Sequence, residues 1–230
     1  MHNDADFYDE LYYHNLPVDS GRIRSLPHLM RFDCEDSVCE ISCAAGHFLA
    51  EISPLIKEGI GVDVLEPAIR AAKSLRDDRN LKNINFEKVS AAEFAFRDGN
   101  AERFDHVLLL VVTEHIDDAT LAAVFKAAKR LLKPKGMLII HTPNLTYWIK
   151  QLKDKGFIKQ LRGHIAVRNE QEYQVLIEDA GFVEPKIIGL PHYRQPLRVF
   201  DQLLMHVPYL GQLFRSRLLI GVAARGGFER

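Results

Sequence analysis

The stretch that decides the fold runs from Val38 to Ala50 and reads Val-Cys-Glu-Ile-Ser-Cys-Ala-Ala-Gly-His-Phe-Leu-Ala. It begins as a short apolar run with an acid near its end and then turns through small residues at 42–46. Apolar residues resume at helical spacing, namely Phe48, Leu49, Ile52, Leu55 and Ile56. This order predicts a strand, a tight turn and a helix, with which doubly wound sheets present helix-terminal N–H groups to a ligand. The small side chains of the turn leave its backbone open to close approach.

The following segments alternate between apolar runs and amphipathic stretches. Pro67 stands where proline is favoured, in a first helical turn. The run 104–112 is the most apolar of the chain, as expected of a central strand covered on both faces. Asp117 and Asp118 offer an N-cap to a helix with apolar positions up to Leu132, which Lys133–Gly136 stops. The pattern predicts strands at 37–42, 59–63, 84–89, 104–112 and 137–141, and earlier helices at 46–56 and 67–76.

The regular alternation of strands and helices changes after Thr142-Pro143-Asn144. The remaining pattern predicts helices at 145–161, 169–179 and 196–214, and strands at 182–189 and 217–224. Five β–α units and two further strands predict a seven-stranded α/β sandwich, because right-handed crossovers put helices on both faces. No linker or repeat divides the chain, so one domain is predicted for 1–230, with a helical lead-in at 1–33 that ends near Leu29 and cap helices within 145–215.

Composition and charge exclude several classes of protein. The chain has 230 residues, 47% apolar and 27% charged, which is typical of a soluble globular protein. Its net charge of −1 gives no general attraction to nucleic acid or to an anionic membrane. The N-terminus is polar and no run of 18 apolar residues occurs, so no transmembrane segment and a cytoplasmic location are predicted. Cys34, Cys39 and Cys43 are interpreted as free thiols rather than as a disulfide framework or a metal site.

From about Asp36 onward, the chain resembles the class I methyltransferases that use S-adenosylmethionine. The first motif of that family is an acid followed by three glycines at alternate positions. In the stretch Glu40–Gly46 the acid and the last glycine match, whereas Ser42 and Ala44 replace the first two glycines. Asp63 matches the acid that ends the second strand. Further similar segments are Thr113-Glu114-His115-Ile116, Leu131–Gly136, Thr142-Pro143-Asn144, Gly163-His164-Ile165 and Ala180-Gly181-Phe182.

This resemblance implies a Rossmann-like sheet in the order 3-2-1-4-5-7-6, with the last strand antiparallel and helices on both faces. It also implies S-adenosylmethionine as cofactor, S-adenosylhomocysteine as product, and the branch that methylates quinone precursors, sugars or lipid-linked compounds. The residues implied to bind the cofactor are Glu40, Ser42, Cys43, Ala44, Gly46, Asp63, Val64, Ser90, Ala91 and Val111. Asp63 would take both ribose hydroxyls, since a carboxylate offers paired acceptors to a cis-diol.

Several of these residues also have a purely structural interpretation. Glu40 taken alone is an acid at a strand end, and Ser90 is a serine in a turn that could simply cap a helix. His115 is the candidate catalytic residue, because an imidazole titrates near neutrality and could accept a proton from a hydroxyl acceptor. The alternative, which the sequence alone favours, is that His115 orients its loop or satisfies a backbone group.

The two residues that replace glycines in the first motif, Ser42 and Ala44, disfavour cofactor binding. A Cβ at Ser42 or Ala44 would crowd the ligand, or strain the turn if φ must be positive there. Alanine would be the milder change if its φ were negative. The hypothesis is an intact site with weakened cofactor affinity.

The segments 145–161 and 196–214 are basic and amphipathic. They indicate either a pocket or membrane-facing surface for an amphiphilic acceptor, or a cover for the sheet edge or a dimer contact.

The predicted function is methyl transfer to a small-molecule acceptor at O, N or C, by a monomer or homodimer without nucleic acid or metal. The first alternative is a non-catalytic ligand-binding or interaction protein that keeps the fold. A nicotinamide-dependent oxidoreductase is disfavoured by the missing Gly-x-Gly-x-x-Gly in the first turn.

Overall fold

The computed structural model describes residues 20–158 and 165–224. Seven strands form one sheet: β1 Ser37–Ile41, β2 Glu58–Asp63, β3 Ile84–Lys88, β4 Phe104–Leu110, β5 Leu132–Pro143, β6 Val183–Leu190 and β7 Arg217–Ala223. Their order across the sheet is β3-β2-β1-β4-β5-β7-β6. Strands β1 to β5 pair in parallel, whereas β7 pairs antiparallel with both β5 and β6. The predicted strand order and antiparallel last strand are therefore confirmed.

Nine α-helices are described along these two ranges of the chain: α1 Ser20–Ser25, α2 Pro27–Met30, α3 His47–Ile52, α4 Glu66–Asp78, α5 Ala91–Ala95, α6 Asp118–Leu131, α7 Trp148–Asp154, α8 Glu170–Asp179 and α9 Leu197–Leu204. Short 3-10 helices stand at Ser53–Leu55, Thr113–His115 and Gly211–Phe214. No helix of the described ranges is both long and apolar enough to cross a membrane.

The sheet separates two hydrophobic cores. Along β4, Val107 and Leu109 belong to the core that includes Phe125 and Tyr173, whereas Leu108 between them belongs to the core that includes Phe86. Successive side chains of a strand point to opposite faces, so a continuous apolar run fits a strand with helices on both sides. This double burial explains why β4 is the most apolar stretch of the sequence.

Side-chain caps begin two of the helices as the sequence indicates. The Thr120 N–H donates to Asp117 Oδ1 over 2.8 Å at the start of α6. At the start of α8, Asn169 and Glu172 form a reciprocal capping box, in which each side chain accepts from the backbone N–H of the other. These caps satisfy N–H groups that have no partner within the helix.

The predicted cap helices differ from the structure. The helix predicted at 196–214 is wrong as a single element, because α9 ends at Leu204 and a 3-10 helix follows only at Gly211–Phe214. Pro208 lies between them and has no N–H to continue the helical hydrogen bonds. The helix predicted at 145–161 is shorter, ending at Asp154, and Gly156 with φ of 79° follows in the left-handed conformation common after a helix.

The fifth strand begins earlier than the sequence pattern predicts, at Leu132 instead of 137. The segment Lys133–Gly136, which was predicted to end the preceding helix, therefore lies within strand β5 and not ahead of it. Of the lead-in at 1–33, residues 20–33 are described and contain α1 and α2, while 1–19 lie outside the described residues. Residues 159–164, with the predicted Gly163-His164 motif, also lie outside them. The single-domain organisation stays a prediction.

Candidate functional site

The candidate site lies at the carboxyl edge of the parallel strands, between β1 and β4. From β1 the chain proceeds through β2 and β3 towards one side of the sheet, whereas β4 and β5 extend towards the other. At such a switch point the loops that follow the two adjacent strands diverge and leave a crevice for a ligand. The turn 42–46 follows β1 and the turn 111–112 follows β4, so both lie at this switch point.

The turn after β1 has three left-handed residues at alternate positions. The φ angles are 56° at Ser42, 49° at Ala44 and 70° at Gly46. A residue with a Cβ pays roughly 1–2 kcal/mol for this conformation. Alanine at position 44 would be a mild change only if its φ were negative, and its φ is positive. Both substituted positions of the motif keep the backbone conformation that glycine adopts easily.

Gly46 is the position of this turn where no side chain fits. A Cβ built there would lie 2.5 Å from Cζ of Phe86 and 3.0 Å from Cβ of Ala72. Phe86 is fully buried in β3, so its ring has little room to move. Gly46 thus lets the backbone pass close to the core immediately before α3 begins at His47.

Asp63 joins the turn after β1 to the turn after β2. Its Oδ2 accepts from the Ala44 N–H over 3.0 Å and its Oδ1 from the Leu65 N–H over 2.9 Å. The side chain is nearly buried, and this burial raises the pKa of the Asp63 carboxyl, while the N–H groups of Leu65, Ala44 and Val64 act in the opposite direction. Each carboxylate oxygen has more than one acceptor site, so these contacts leave capacity for a ligand.

Glu40 is buried on β1 below the same turn. Burial raises the pKa of its carboxyl to about 8, although the Arg22 guanidinium and the Leu49 N–H lower it. Within the described part of the chain, Glu40 Oε2 is buried and accepts no hydrogen bond. A buried carboxyl oxygen without a donor is costly and is suited to a cationic or N–H ligand group.

Replacing Glu40 with glutamine is expected to flatten the pH dependence of the free energy of unfolding. The folded state keeps this proton up to a pH of about 8, whereas the unfolded state releases it near the ordinary glutamate pKa. Its stabilising contribution is therefore complete below the unfolded pKa and is lost as the pH rises through the folded pKa. In this window wild type should lose up to about 1.4 kcal/mol per pH unit more than Glu40→Gln.

Urea denaturation across this pH range measures that slope. The matched control is Glu51→Gln, which removes an exposed carboxyl from α3 and should leave the wild-type slope unchanged. Equal slopes for wild type and Glu40→Gln would contradict a protonated, buried Glu40.

The other predicted cofactor residues take distinct positions around the crevice. Val64 is 59% exposed directly after β2, where an apolar side chain can cover a flat ring. The Cys43 thiol points into the core, so only its backbone faces the turn; burial raises the pKa of this thiol well above its usual range. Ser90 caps α5, because its Oγ accepts from the Glu93 N–H over 3.2 Å, and Ala91 is the first residue of that helix. The capping interpretation of Ser90 therefore holds, although its hydroxyl proton remains able to donate.

Val111, in the turn after β4, is a further strained backbone position. Its φ is 62°, and its N–H donates to the His141 carbonyl over 2.8 Å. A β-branched residue in this region is a genuine conformational outlier. Strained residues of this kind persist where the surrounding structure enforces them, and they cluster at functional sites.

The Glu-His pair after β4 is divided between core and surface. Glu114 is fully buried, burial raises the pKa of its carboxyl, and its backbone carbonyl accepts from the N–H groups of Ile165 and Ala166. His115 is half-buried at the end of the 3-10 helix, with its N–H donating to the Val112 carbonyl over 2.9 Å. Glu114 therefore anchors the loop to the cap, and His115 is the more accessible member of the pair.

Two polar groups that the sequence analysis missed support this edge of the sheet. His141, at the end of β5, is fully buried with Nε2 2.7 Å from the Tyr193 hydroxyl, and burial lowers its pKa well below the usual range. Arg168 is buried and donates to the carbonyls of Thr113 and Ile116 and to the Asp118 carboxylate. The position of His141 at the end of the apolar run of β5 is a signal that the sequence contains. The role of Arg168 is recognised only from its contacts.

The described residues contain no group of three or more His, Cys, Asp or Glu side chains arranged to hold a metal ion. All three cysteines are free, with Cys34 exposed and the other two buried.

The strand order defines a doubly wound α/β protein, with the strained turn at the switch point of its sheet. A sequence model described as a methyltransferase domain matches residues 14–183, more than half of the chain. The chain therefore belongs to this methyltransferase domain family, and the family resemblance stated above is confirmed.

Curated relatives match only part of the chain. The ubiquinone biosynthesis O-methyltransferase of Bradyrhizobium diazoefficiens is 35% identical over 107 residues, which cover 46% of this chain and 40% of that protein. The uncharacterized methyltransferase YcgJ of Bacillus subtilis is 27% identical over 106 residues, with the same coverages of 46% and 40%. The aligned region thus spans less than half of the length of these relatives.

Solved structures of similar fold cover most of the chain. The YcgJ protein of Bacillus subtilis superposes with a TM-score of 0.62 and 16% identity, covering 89% of this chain and 98% of that one. A SAM-dependent methyltransferase of Archaeoglobus fulgidus superposes with a TM-score of 0.65 and 19% identity, covering 87% and 91%. At these identities the likeness establishes the fold.

Proposed function

We propose that this chain binds S-adenosylmethionine across the carboxyl ends of β1 and β2 and transfers its methyl group to a small-molecule acceptor. The observation that carries the proposal is the turn 42–46, which keeps left-handed φ angles at Ser42 and Ala44 although their side chains disfavour them. The Asp63 carboxylate accepts from the Ala44 N–H and helps to hold this turn, and strained residues that the surrounding structure enforces cluster at functional sites. Membership of the methyltransferase domain family supports the same function.

The residues around the turn fit the proposed cofactor. The open backbone of the turn and the N–H groups at the start of α3 would receive the methionine carboxylate. The orphan Oε2 of Glu40 would accept from the methionine ammonium group, which would in turn favour the ionised carboxylate. Asp63 would accept from the ribose hydroxyls with the acceptor capacity that its two backbone contacts leave.

The adenine would lie between the second and third strands. Val64 is exposed there and would cover one face of the ring together with Leu65. Ser90, whose Oγ already accepts from Glu93, would donate its hydroxyl proton to the adenine edge, with the Ala91 backbone beside it. Cys43 would contribute its backbone only.

Methyl transfer requires alignment more than proton chemistry. When bound, the cofactor supplies an electrophilic methyl group on a sulfonium that leaves as a neutral thioether. The task of the chain is to hold the acceptor in line at roughly 3–3.5 Å from that methyl group. Val111, held in its strained conformation, would border the methyl-bearing end, and His115 would take the proton of a hydroxyl acceptor.

The acceptor is proposed to be a small, amphiphilic molecule with an O, N or C nucleophile. Support comes from the names of several relatives, which are ubiquinone biosynthesis O-methyltransferases. A cytoplasmic location and a monomeric or homodimeric state stay predictions.

Two measurements test the function. In isothermal titration, S-adenosylhomocysteine should bind saturably with one site per chain, and no heat at millimolar ligand would remove the cofactor from the proposal. Mass spectrometry should then detect S-adenosylhomocysteine release with a panel of catechols and other hydroxylated acceptors. Binding without turnover on any acceptor would favour the alternative, a non-catalytic ligand-binding protein that retains the fold.

A further inference from the structure

Helix α9 buries a carboxylate and exposes part of its apolar surface. Its one fully buried side chain is Asp201, whose Oδ2 accepts from the Tyr147 hydroxyl over 3.0 Å and from the His192 N–H over 2.9 Å. Three of its apolar side chains are exposed, with Val199 48%, Phe200 47% and Leu203 71% exposed, whereas Leu197 and Leu204 are half-buried. A helix that only covered a sheet would bury most of its apolar side chains.

The exposed apolar surface continues beyond the helix. Val207 is 38%, Leu210 54% and Tyr209 97% exposed. Single exposed apolar residues are ordinary, but several grouped on one segment indicate an interaction surface. The apolar ridge is defined here by Val199, Phe200, Leu203, Val207, Tyr209 and Leu210.

The segment that carries the apolar ridge is strongly basic. Residues 191–217 contain four arginines and one carboxylate, Asp201, which is buried and hydrogen-bonded to the protein. Arg194 is exposed and Arg198 half-buried, while Arg215 is paired with Glu170. Since the whole chain carries a net charge of only −1, this excess of positive charge is local.

We propose that the apolar ridge docks on an anionic lipid surface, with its apolar side chains in the interface and Arg194 and Arg198 towards the headgroups. Apolar side chains beside basic ones are the features of interfacial membrane helices. Anionic headgroups attract such cations, whereas a second copy of this chain would bring the same positive charge against itself. This inference is independent of the proposed methyl transfer.

The single tryptophan of the chain is a built-in reporter for this contact. The Trp148 ring packs edge-on against Phe200 with centroids 6.2 Å apart, and Phe200 packs against Phe214 at 5.6 Å. Insertion of Phe200 into lipid therefore changes the surroundings of the indole. A change in Trp148 emission should accompany docking.

Vesicle flotation tests the proposal with the whole chain. It should bind vesicles of phosphatidylcholine with phosphatidylglycerol, bind phosphatidylcholine alone at least about tenfold more weakly, and lose binding as salt is raised. Leu203→Glu should reduce the partition coefficient at least about tenfold and abolish the Trp148 emission change. The control Val175→Glu introduces the same charge at an exposed apolar position of α8 and should bind as wild type does.

Circular dichroism melting first establishes that both variants are folded. Three outcomes overturn the proposal: no binding to anionic vesicles, binding that ignores lipid charge, or equal loss in Leu203→Glu and Val175→Glu. A dimer in sedimentation that Leu203→Glu dissociates would assign the apolar ridge to a second copy and overturn it as well.

Discussion

Replacing Asp63 with asparagine is expected to weaken binding of S-adenosylhomocysteine about 100-fold or more. The carboxylate accepts from Ala44 and Leu65, so an amide turns one of its two oxygens into a donor that faces an N–H group. The variant also loses one acceptor for the proposed ribose hydroxyls. Hydrogen bonds to charged groups contribute about 1.5–3 kcal/mol each, and about 1.4 kcal/mol corresponds to tenfold in affinity.

The same substitution should lower the free energy of unfolding by about 1.5–3 kcal/mol, because the clamp between the two turns is present without ligand. Isothermal titration and urea denaturation measure the two effects separately. The matched control is Glu58→Gln at the opposite end of the same strand, where the carboxylate pairs with Arg103 at 3.5 Å near the surface. Its affinity should equal that of wild type and its stability should change by less than about 1 kcal/mol. Wild-type affinity in Asp63→Asn would show that Asp63 serves neither the turn nor the ligand.

Replacing Gly46 with alanine is expected to destabilise the fold by about 2–5 kcal/mol. One part, about 1–2 kcal/mol, comes from placing a Cβ on a residue with φ of 70°. The other, about 1–3 kcal/mol, comes from the contact of that Cβ with the buried ring of Phe86, 2.5 Å away. Urea denaturation followed by circular dichroism measures the change.

Gly99 provides the control that separates the two contributions. Its φ is 81°, but a Cβ built there has no heavy atom within 4 Å. Gly99→Ala should therefore cost only the conformational part, about 1–2 kcal/mol. Adding Phe86→Leu to Gly46→Ala should cost less than the two single changes together, because the smaller side chain relieves the contact. Equal losses for the two alanine variants would show that the turn does not press against β3.

The fold was predictable because it rests on patterns that are local in the sequence. The apolar run of β4 reports burial on both faces, and the alternation of strands with helices leaves few topologies once right-handed crossovers are required. The family resemblance implied the order of the seven strands, and the apolar run before Asp63 predicted its position at the end of β2. The long helix at 196–214 was wrong because its apolar spacing outweighed the break that Pro208 introduces.

The candidate site shows where sequence reasoning stops. The sequence shows that Ser42 and Ala44 depart from a glycine motif, but their left-handed φ angles are known only from the folded turn. Likewise, the carboxylate of Asp63 was expected to face a ligand, whereas it also accepts from the backbone of a turn 19 residues earlier. Such contacts join distant segments, so no window of the sequence contains them.

The sequence by itself determined the alternation of strands and helices and the edge at which a ligand would lie, because hydrophobic periodicity and chain handedness suffice for these, and its resemblance to a known family implied the strand order. Only the tertiary structure decided that the turn after β1 keeps a conformation unfavourable to its own residues, and that α9 buries Asp201 while exposing Val199, Phe200 and Leu203. The physical reason is that backbone strain and the burial of a polar group are imposed by partners elsewhere in the chain. Here these partners are the Asp63 carboxylate for the turn and the Tyr147 hydroxyl for the helix.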